Sequence, residues 1–135
     1  MIAVVFDCNV VLAAIGWGGT PPLCLKLVAA RRISLCVTEA ILAEYETVIP
    51  ERLKEEIPGL DAQPKLAWIR AKSRCFDPAP LGKPRSRDQK DDPYLACALA
   101  AAARYVVTYD KDLLELEKPF GIEIIRPAEL LRRLG

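Results

Sequence analysis

The 135-residue sequence contains no histidine. That absence excludes Ser-His-Asp and Cys-His nucleophile systems, ribonuclease chemistry that depends on paired histidines, and zinc sites with a histidine ligand. Any hydrolysis that this chain performs must therefore use carboxylates.

Paired cysteines and long apolar runs are also missing. The five cysteines are odd in number, form no Cys-x-x-Cys motif and mostly lie within apolar runs, which is typical of reduced core thiols rather than of disulfides or zinc ligands. The sequence has no basic leader, and no apolar run approaches the roughly 20 residues that span a bilayer. We therefore expect an unprocessed cytoplasmic protein with no membrane partner.

Net charge of either sign is nearly absent. The 19 Lys and Arg residues oppose 18 Asp and Glu residues, which leaves a formal net charge of +1. The field of the whole molecule thus gives no argument for a nucleic acid, and a site for a polyanion must come from local clustering. Hydrophobic residues make up 52% of the chain, which suits one domain with a substantial core, so residues 1–135 are assigned to a single domain.

Strand-like and helix-like segments alternate along the chain. The candidate strands are short apolar runs, at 2–6, 33–37, 75–76, 106–108 and 122–125. The candidate helices are at 21–30, 39–49, 95–103 with Pro93 in its first turn, 113–116 and 127–134, with short helical pieces between the prolines at 50, 58 and 64. This alternation predicts an α/β fold with a mainly parallel sheet and right-handed crossovers.

Acidic residues recur where these segments begin and end. Asp7 comes directly after the first apolar run, and Asp110 follows the run at 106–108. In parallel sheets ligands bind beyond the carboxyl ends of the strands, so both should face one cleft. Glu44 lies at the edge of the apolar stripe of its helix, and Asp92 begins the helix that precedes the fourth strand. We expect these four carboxylates to meet.

Four carboxylates in one cleft raise one another's pKa unless a cation is present. Oxygen ligands without His or Cys select the hard ions Mg²⁺ or Mn²⁺, and such a site can cleave a phosphodiester. The expected catalytic groups and metal ligands are Asp7, Glu44, Asp92 and Asp110. Asp112 is expected to bind a second metal or to support these ligands, although it could simply cap a short helix. Asn9 and Thr108 should hydrogen-bond the carboxylates and orient them.

A basic, Pro-rich connection at 77–90 leads directly to Asp92 and is expected to be a loop. Its cations could contact phosphates beside the acids, and they are Lys83, Arg85, Arg87 and Lys90. Trp17, which stands beside glycines, is a candidate for stacking on a base. An alternative groove would use Arg31, Arg32, Arg70, Lys72 and Arg74. The acids Asp88 and Asp91 are either functional residues beside Asp92 or solvated loop residues, and the second interpretation is favoured.

Together these residues resemble the PIN-domain nucleases over essentially the whole chain. The motifs that carry the likeness are Asp7-Cys8-Asn9, Glu44, Asp92-x-x-Leu95-Ala96-x-Ala98 and Thr108-x-Asp110-x-Asp112. The segments at 17–22 and 91–95 are similar to the branch of that family that comprises toxins of toxin-antitoxin pairs. Cys8 departs from the pattern, because the family usually has Thr or Ser at this position.

The resemblance implies a three-layer α/β/α sandwich whose five-stranded sheet has the order 3-2-1-4-5. It also implies Mg²⁺-dependent cleavage of single-stranded RNA. The implied partners are a second copy of the chain in a homodimer and a cognate antitoxin protein.

Three other functions are compatible with parts of the pattern. A phosphatase with an aspartyl nucleophile would need a second acid two residues after Asp7, where Asn9 stands. A receiver-like signalling module would need Lys where Arg126 stands, and it would leave Glu44 and Asp110 unexplained. A PIN scaffold that binds RNA or protein without cutting would keep the fold, but the intact acids argue against it.

Overall fold

The computed structural model describes residues 1–86 and 89–134. Its strands are β1 (Ile2–Phe6), β2 (Ile33–Val37), β3 (Arg74–Cys75), β4 (Tyr105–Val107) and β5 (Glu123–Ile125). They form one sheet in the order β3-β2-β1-β4-β5, in which every neighbouring pair is parallel. The predicted α/β class and the strand order 3-2-1-4-5 are confirmed.

Helices of the described ranges cover both faces of this sheet. They are α1 (Cys8–Gly16), α2 (Thr20–Ala29), α3 (Glu39–Glu56), α4 (Gln63–Lys72), α5 (Asp92–Ala100), α6 (Lys111–Leu114) and α7 (Pro127–Leu134), with short 3-10 helices at Gln89–Asp91 and Pro119–Gly121. Because parallel crossovers are right-handed, α1 to α4 lie on one face, and α5 and α6 lie on the other. Helix α7 packs against α2 and joins the first face.

The central strands form the middle of the core. Val4, Val5 and Phe6 of β1 are fully buried, and every residue of β2 is buried. The edge strand β3 is exposed, and β5 is only partly buried. The carboxyl ends of β1 and β4 therefore lie in the middle of the sheet and not at its exposed edge strands. A cleft can form beyond these two strand ends.

Helix α1 was not predicted from the sequence. Its residues continue the apolar run of β1 without a helical period, since Val10, Val11 and Leu12 are all buried. The helix begins here because Asp7 caps it, with Oδ1 accepting from the Val10 amide at 3.0 Å. Within the described residues no single helix is long and apolar enough to cross a membrane, and only α1 and α2, bent by 98° at their break, reach that length and composition together.

Several helix boundaries differ from the sequence prediction, among them the end of α3 and the start of α2. Helix α3 continues through Pro50, although a proline inside a helix costs about 3 kcal/mol. Tyr45, Ile49 and Leu53 recur every four residues and are all buried, so packing of this face outweighs the lost hydrogen bond. Helix α2 begins at Thr20, one residue before the expected start, and its cap position is taken by Gly19 at a φ of 85°, which favours glycine.

Candidate active site

Four acidic side chains line one open pocket beyond the carboxyl ends of β1 and β4. The pocket has a volume of about 200 Å³, and its lining residues are Asp7, Cys8, Asn9, Glu44, Val48, Lys90, Asp91, Tyr94 and Asp110. The acids come from the end of β1, from α3, from the 3-10 helix before α5 and from the start of α6. The sheet order thus brings together carboxylates that are far apart in the sequence.

Asp7 is the most constrained of these acids. Its Oδ1 atom caps α1, its Oδ2 atom accepts a hydrogen bond from the Thr108 hydroxyl group, and its side chain is almost fully buried. Burial raises the pKa of Asp7, and the charge of Asp110 raises it further, while the hydrogen bonds from Thr108 and Val10 oppose this shift. The pocket therefore disfavours an uncompensated negative charge at Asp7.

Thr108 connects Asp7 with Asp110. Its Oγ1 atom donates to Asp7 and accepts from the Asp110 amide at 2.9 Å, and the residue is fully buried. This is the orienting contact expected from the sequence. Asp110 in turn caps α6, because its Oδ1 atom accepts from the Asp112 amide at 2.8 Å. Asp112 supports Asp110 through its backbone and is not among the described residues that line the pocket.

Glu44 is held by a residue that sequence analysis missed. The hydroxyl group of Tyr94 donates to Glu44 Oε1 and accepts from the Cys8 amide at 3.1 Å. Burial, and then the hydrogen bond to Glu44, raise the pKa of Tyr94, so the phenol stays protonated and remains a donor. The available sequence signal was a hydroxyl group within an otherwise apolar helical segment, and its partners lie far away in the chain.

The two neighbouring aspartates do not lie where the sequence analysis placed them. Asp92 does not enter the acidic pocket, because its carboxylate accepts the backbone N–H groups of Arg85 at 3.1 Å and Ser86 at 2.8 Å. It lines a separate cavity with residues 81–84. Asp91, interpreted from the sequence as a solvated loop residue, is instead 8% exposed and lines the acidic pocket. Successive residues of a helical turn point about 100° apart, so only one of the two can face it.

The basic residues of the loop are divided between different surroundings. Arg85 donates through Nη2 to the Leu81 carbonyl at 3.0 Å, and its guanidinium lies 4.8 Å from the centre of the Phe120 ring. Lys83 lines the separate cavity beside Asp92. Only Lys90, among the described cations, lines the acidic pocket. Lys90 is therefore the cation best placed to meet a phosphate there.

Of the other RNA-binding candidates, Trp17 and Arg70 are not among the lining residues of the acidic pocket. Trp17 is 44% exposed at the end of α1 and is not one of the lining residues. Arg87 lies outside the described residues. Arg70, which belongs to the alternative basic groove, is bound by the carboxylates of Glu39 and Glu46. The ion pairs of Arg70 connect α4 to α3 and occupy its guanidinium group.

The donor chemistry of the pocket fits a hard divalent ion. Its acids and the Asn9 amide provide oxygen ligands. Burial, with the nearby charges of Glu44 and Asp7, raises the pKa of Cys8 to about 12, so this thiol is not a thiolate ligand. In the part of the chain that the structure describes, no group of three or more His, Cys, Asp or Glu side chains lies close enough to hold a metal ion. Coordination would require these carboxylates to come closer together.

The fold and the pocket define an α/β domain with acidic groups at the carboxyl edge of its sheet. The family model described as PIN domain matches residues 3–112, and the chain therefore belongs to the PIN domain family. Proteins of this family are typically nucleases and generally use divalent metals.

Solved structures give the same fold, whereas the curated proteins give no match. The crystal structure of PAE2754 from Pyrobaculum aerophilum is similar, with a TM-score of 0.66 and 18% identity over 98% of this chain and 89% of that chain. At this identity the likeness concerns the fold alone. No curated protein matches the chain significantly.

Proposed function

We propose that this protein is a metal-dependent endoribonuclease that cleaves single-stranded RNA and acts in the cytoplasm as the toxin of a toxin-antitoxin pair. The observation that carries the proposal is the convergence of Asp7, Glu44, Asp91 and Asp110 on one open pocket. Membership of a family of typical nucleases supports phosphodiester hydrolysis. Because the chain has no histidine, its carboxylates must supply the chemistry.

Mg²⁺ or Mn²⁺ is the proposed cofactor, and Asp7, Glu44, Asp91 and Asp110 would hold it. The chemistry that a divalent ion supplies in such a pocket is activation of a water molecule and neutralisation of charge on the phosphate. Thr108 orients Asp7, and Tyr94 orients Glu44. Asp91 takes the place that the sequence pattern gave to Asp92. The mutual repulsion of the acids supports a cation as their partner.

The proposed substrate contacts involve one cation and one aromatic side chain. Lys90 lies in the wall of the acidic pocket, where an ammonium group can contact a phosphate. Tyr109 directly precedes Asp110 and is 43% exposed, so its ring is available to stack on an unpaired base. These contacts favour a single strand, because the bases of a duplex are already stacked.

The proposed partners are a second copy of the chain and a cognate antitoxin protein. Both follow from the similarity of the segments at 17–22 and 91–95 to toxins of such pairs. Size-exclusion chromatography with light scattering tests the homodimer. Co-purification with the product of an adjacent small reading frame tests the antitoxin.

A metal-dependent cleavage assay tests the central proposal. The purified protein is incubated with a fluorescent single-stranded RNA in Mg²⁺, in Mn²⁺ and in EDTA, and Mn²⁺ binding is measured by calorimetry. We expect cleavage with either ion, none in EDTA, and loss of cleavage in Glu44→Gln. The matched control is Glu55→Gln, which changes an exposed acid of the same helix. Full cleavage in EDTA would contradict the metal mechanism, and intact RNA would favour the scaffold function.

A further inference from the structure

We propose that Tyr94 is a positioning residue of the acidic pocket, whose hydroxyl group holds the Glu44 carboxylate in the orientation that binds the divalent ion. Tyr94 lies in the first turn of α5, whereas Glu44 lies in α3, a separate helix that α5 contacts. The inference rests on the proposed function, because it assigns how the pocket prepares one of its ligands.

The hydrogen bonds of Tyr94 have only one possible direction. A backbone amide can only donate, so the phenol oxygen accepts from the Cys8 N–H group at 3.1 Å. An ionised carboxylate can only accept, so the single phenol proton goes to Glu44 Oε1. Glu44 is therefore connected through one oxygen atom to the first residue of α1.

Packing fixes the position of that oxygen. The Tyr94 side chain is only 3% exposed and belongs to the hydrophobic core, where close packing holds a ring in one orientation. Glu44 is half-buried, and its flexible side chain would lose conformational freedom on binding an ion. The buried phenol restricts the carboxylate beforehand, which reduces that loss.

The same helical turn anchors Asp7. The Asp7 carboxylate accepts from the Val10 amide, and the Cys8 amide of that turn donates to Tyr94. The first turn of α1 therefore holds two acids, Asp7 directly and Glu44 through the Tyr94 hydroxyl group. Removing the Tyr94 hydroxyl group should release Glu44 and leave Asp7 in place.

Tyr94→Phe tests the inference, because it removes one oxygen atom and keeps the ring. The matched control is Tyr45→Phe, which also removes a buried hydroxyl group, but one that donates to the Phe6 carbonyl and to no carboxylate. Mn²⁺ affinity is measured by calorimetry for both variants, for Glu44→Gln, and for the Tyr94→Phe, Glu44→Gln double variant.

We expect Tyr94→Phe to weaken Mn²⁺ binding about tenfold or more, as loss of a group that supports a ligand typically does. Tyr45→Phe should bind Mn²⁺ like the wild type. In the Glu44→Gln background, Tyr94→Phe should cause no further loss, because its effect passes through Glu44. An equal loss in both backgrounds would show a general structural role and overturn the inference.

A measurement on the wild type covers the case in which Tyr94→Phe does not fold. With ¹³C-labelled tyrosine rings, Mg²⁺ addition should shift the Tyr94 resonance, and the midpoint of this shift should equal the midpoint of an Mg²⁺ titration by calorimetry. The Tyr45 resonance should change little. An unchanged Tyr94 resonance at saturating Mg²⁺ would overturn this inference and leave the proposed function standing. No binding of either ion by the wild type would overturn the proposed function, and this inference with it.

Discussion

Replacement of Asp91 and Asp92 by asparagine, one at a time, should cause two different defects at neighbouring positions. Asp91 lines the acidic pocket, whereas the Asp92 carboxylate holds the backbone N–H groups of Arg85 and Ser86. We therefore expect Asp91→Asn to abolish metal-dependent cleavage. Asp92→Asn should instead lower stability and leave cleavage largely intact at temperatures where the variant is folded.

The stability loss in Asp92→Asn follows from its hydrogen bonds. Asparagine can keep Oδ1, which accepts from Ser86 at 2.8 Å and from Arg85 at 3.3 Å. It replaces Oδ2, which accepts from Arg85 at 3.1 Å, by an NH₂ group that cannot accept this hydrogen bond, and it removes the charge. A hydrogen bond to a charged group contributes about 1.5–3 kcal/mol, and a carboxylate in the first turn of a helix adds about 0.3–1 kcal/mol. Asp92 is only half-buried, so solvent screening keeps the expected loss near the lower end, at about 2 kcal/mol.

The two variants are compared in three assays, and each is the control for the other. Urea unfolding in EDTA gives the free energy of unfolding, calorimetry gives Mn²⁺ affinity, and single-stranded RNA gives the cleavage rate. Asp91→Asn removes one of the four carboxylates that line the acidic pocket, so it should lose Mn²⁺ binding. Normal Mn²⁺ binding in Asp91→Asn, together with its loss in Asp92→Asn, would refute the assignment.

The remaining predictions concern the metal, the pH and the basic residues. Asp7→Asn should abolish cleavage and keep the fold, as circular dichroism would show; a fully active variant, with contaminating nuclease excluded, would rule out the site. Cleavage should require Mg²⁺ or Mn²⁺ and should resist histidine-modifying reagents, since the chain has no histidine. The folded-state pKa of Asp7 is raised above 3.8, so its contribution to stability is full below that value and is lost as pH rises through the folded pKa. Asp7→Asn should therefore gain stability over the wild type in EDTA at neutral pH, and urea unfolding should show this advantage shrinking on acidification. Lys90→Ala should reduce the salt slope of RNA binding by about one unit or less, whereas Arg85→Ala should leave it nearly unchanged, because Arg85 is bound to Leu81 and Phe120. Equal slopes in these two variants would contradict the placement of Lys90.

Much of the fold was predictable because its elements have local causes. Continuous apolar runs specify buried parallel strands, and Thr38 caps α3 through a hydrogen bond to an amide three residues away. Helix α1 was missed for an equally local reason, since apolar residues on every side give no helical period. The passage of α3 through Pro50 was not predictable, because it depends on what the buried face of that helix contacts.

The sequence by itself determined that the carboxyl edge of the sheet is acidic, and it determined the positions of Asp7, Thr108 and Asp110, which follow directly from the ends of β1 and β4. Only the tertiary structure decided between Asp91 and Asp92, because backbone donors of the preceding loop bind one carboxylate and leave the other to face the pocket. It alone also revealed Tyr94, whose partners lie 50 and 86 positions away in the chain. Strand ends are fixed by local pattern, whereas the direction of a side chain on a helical turn depends on distant groups that no local pattern contains.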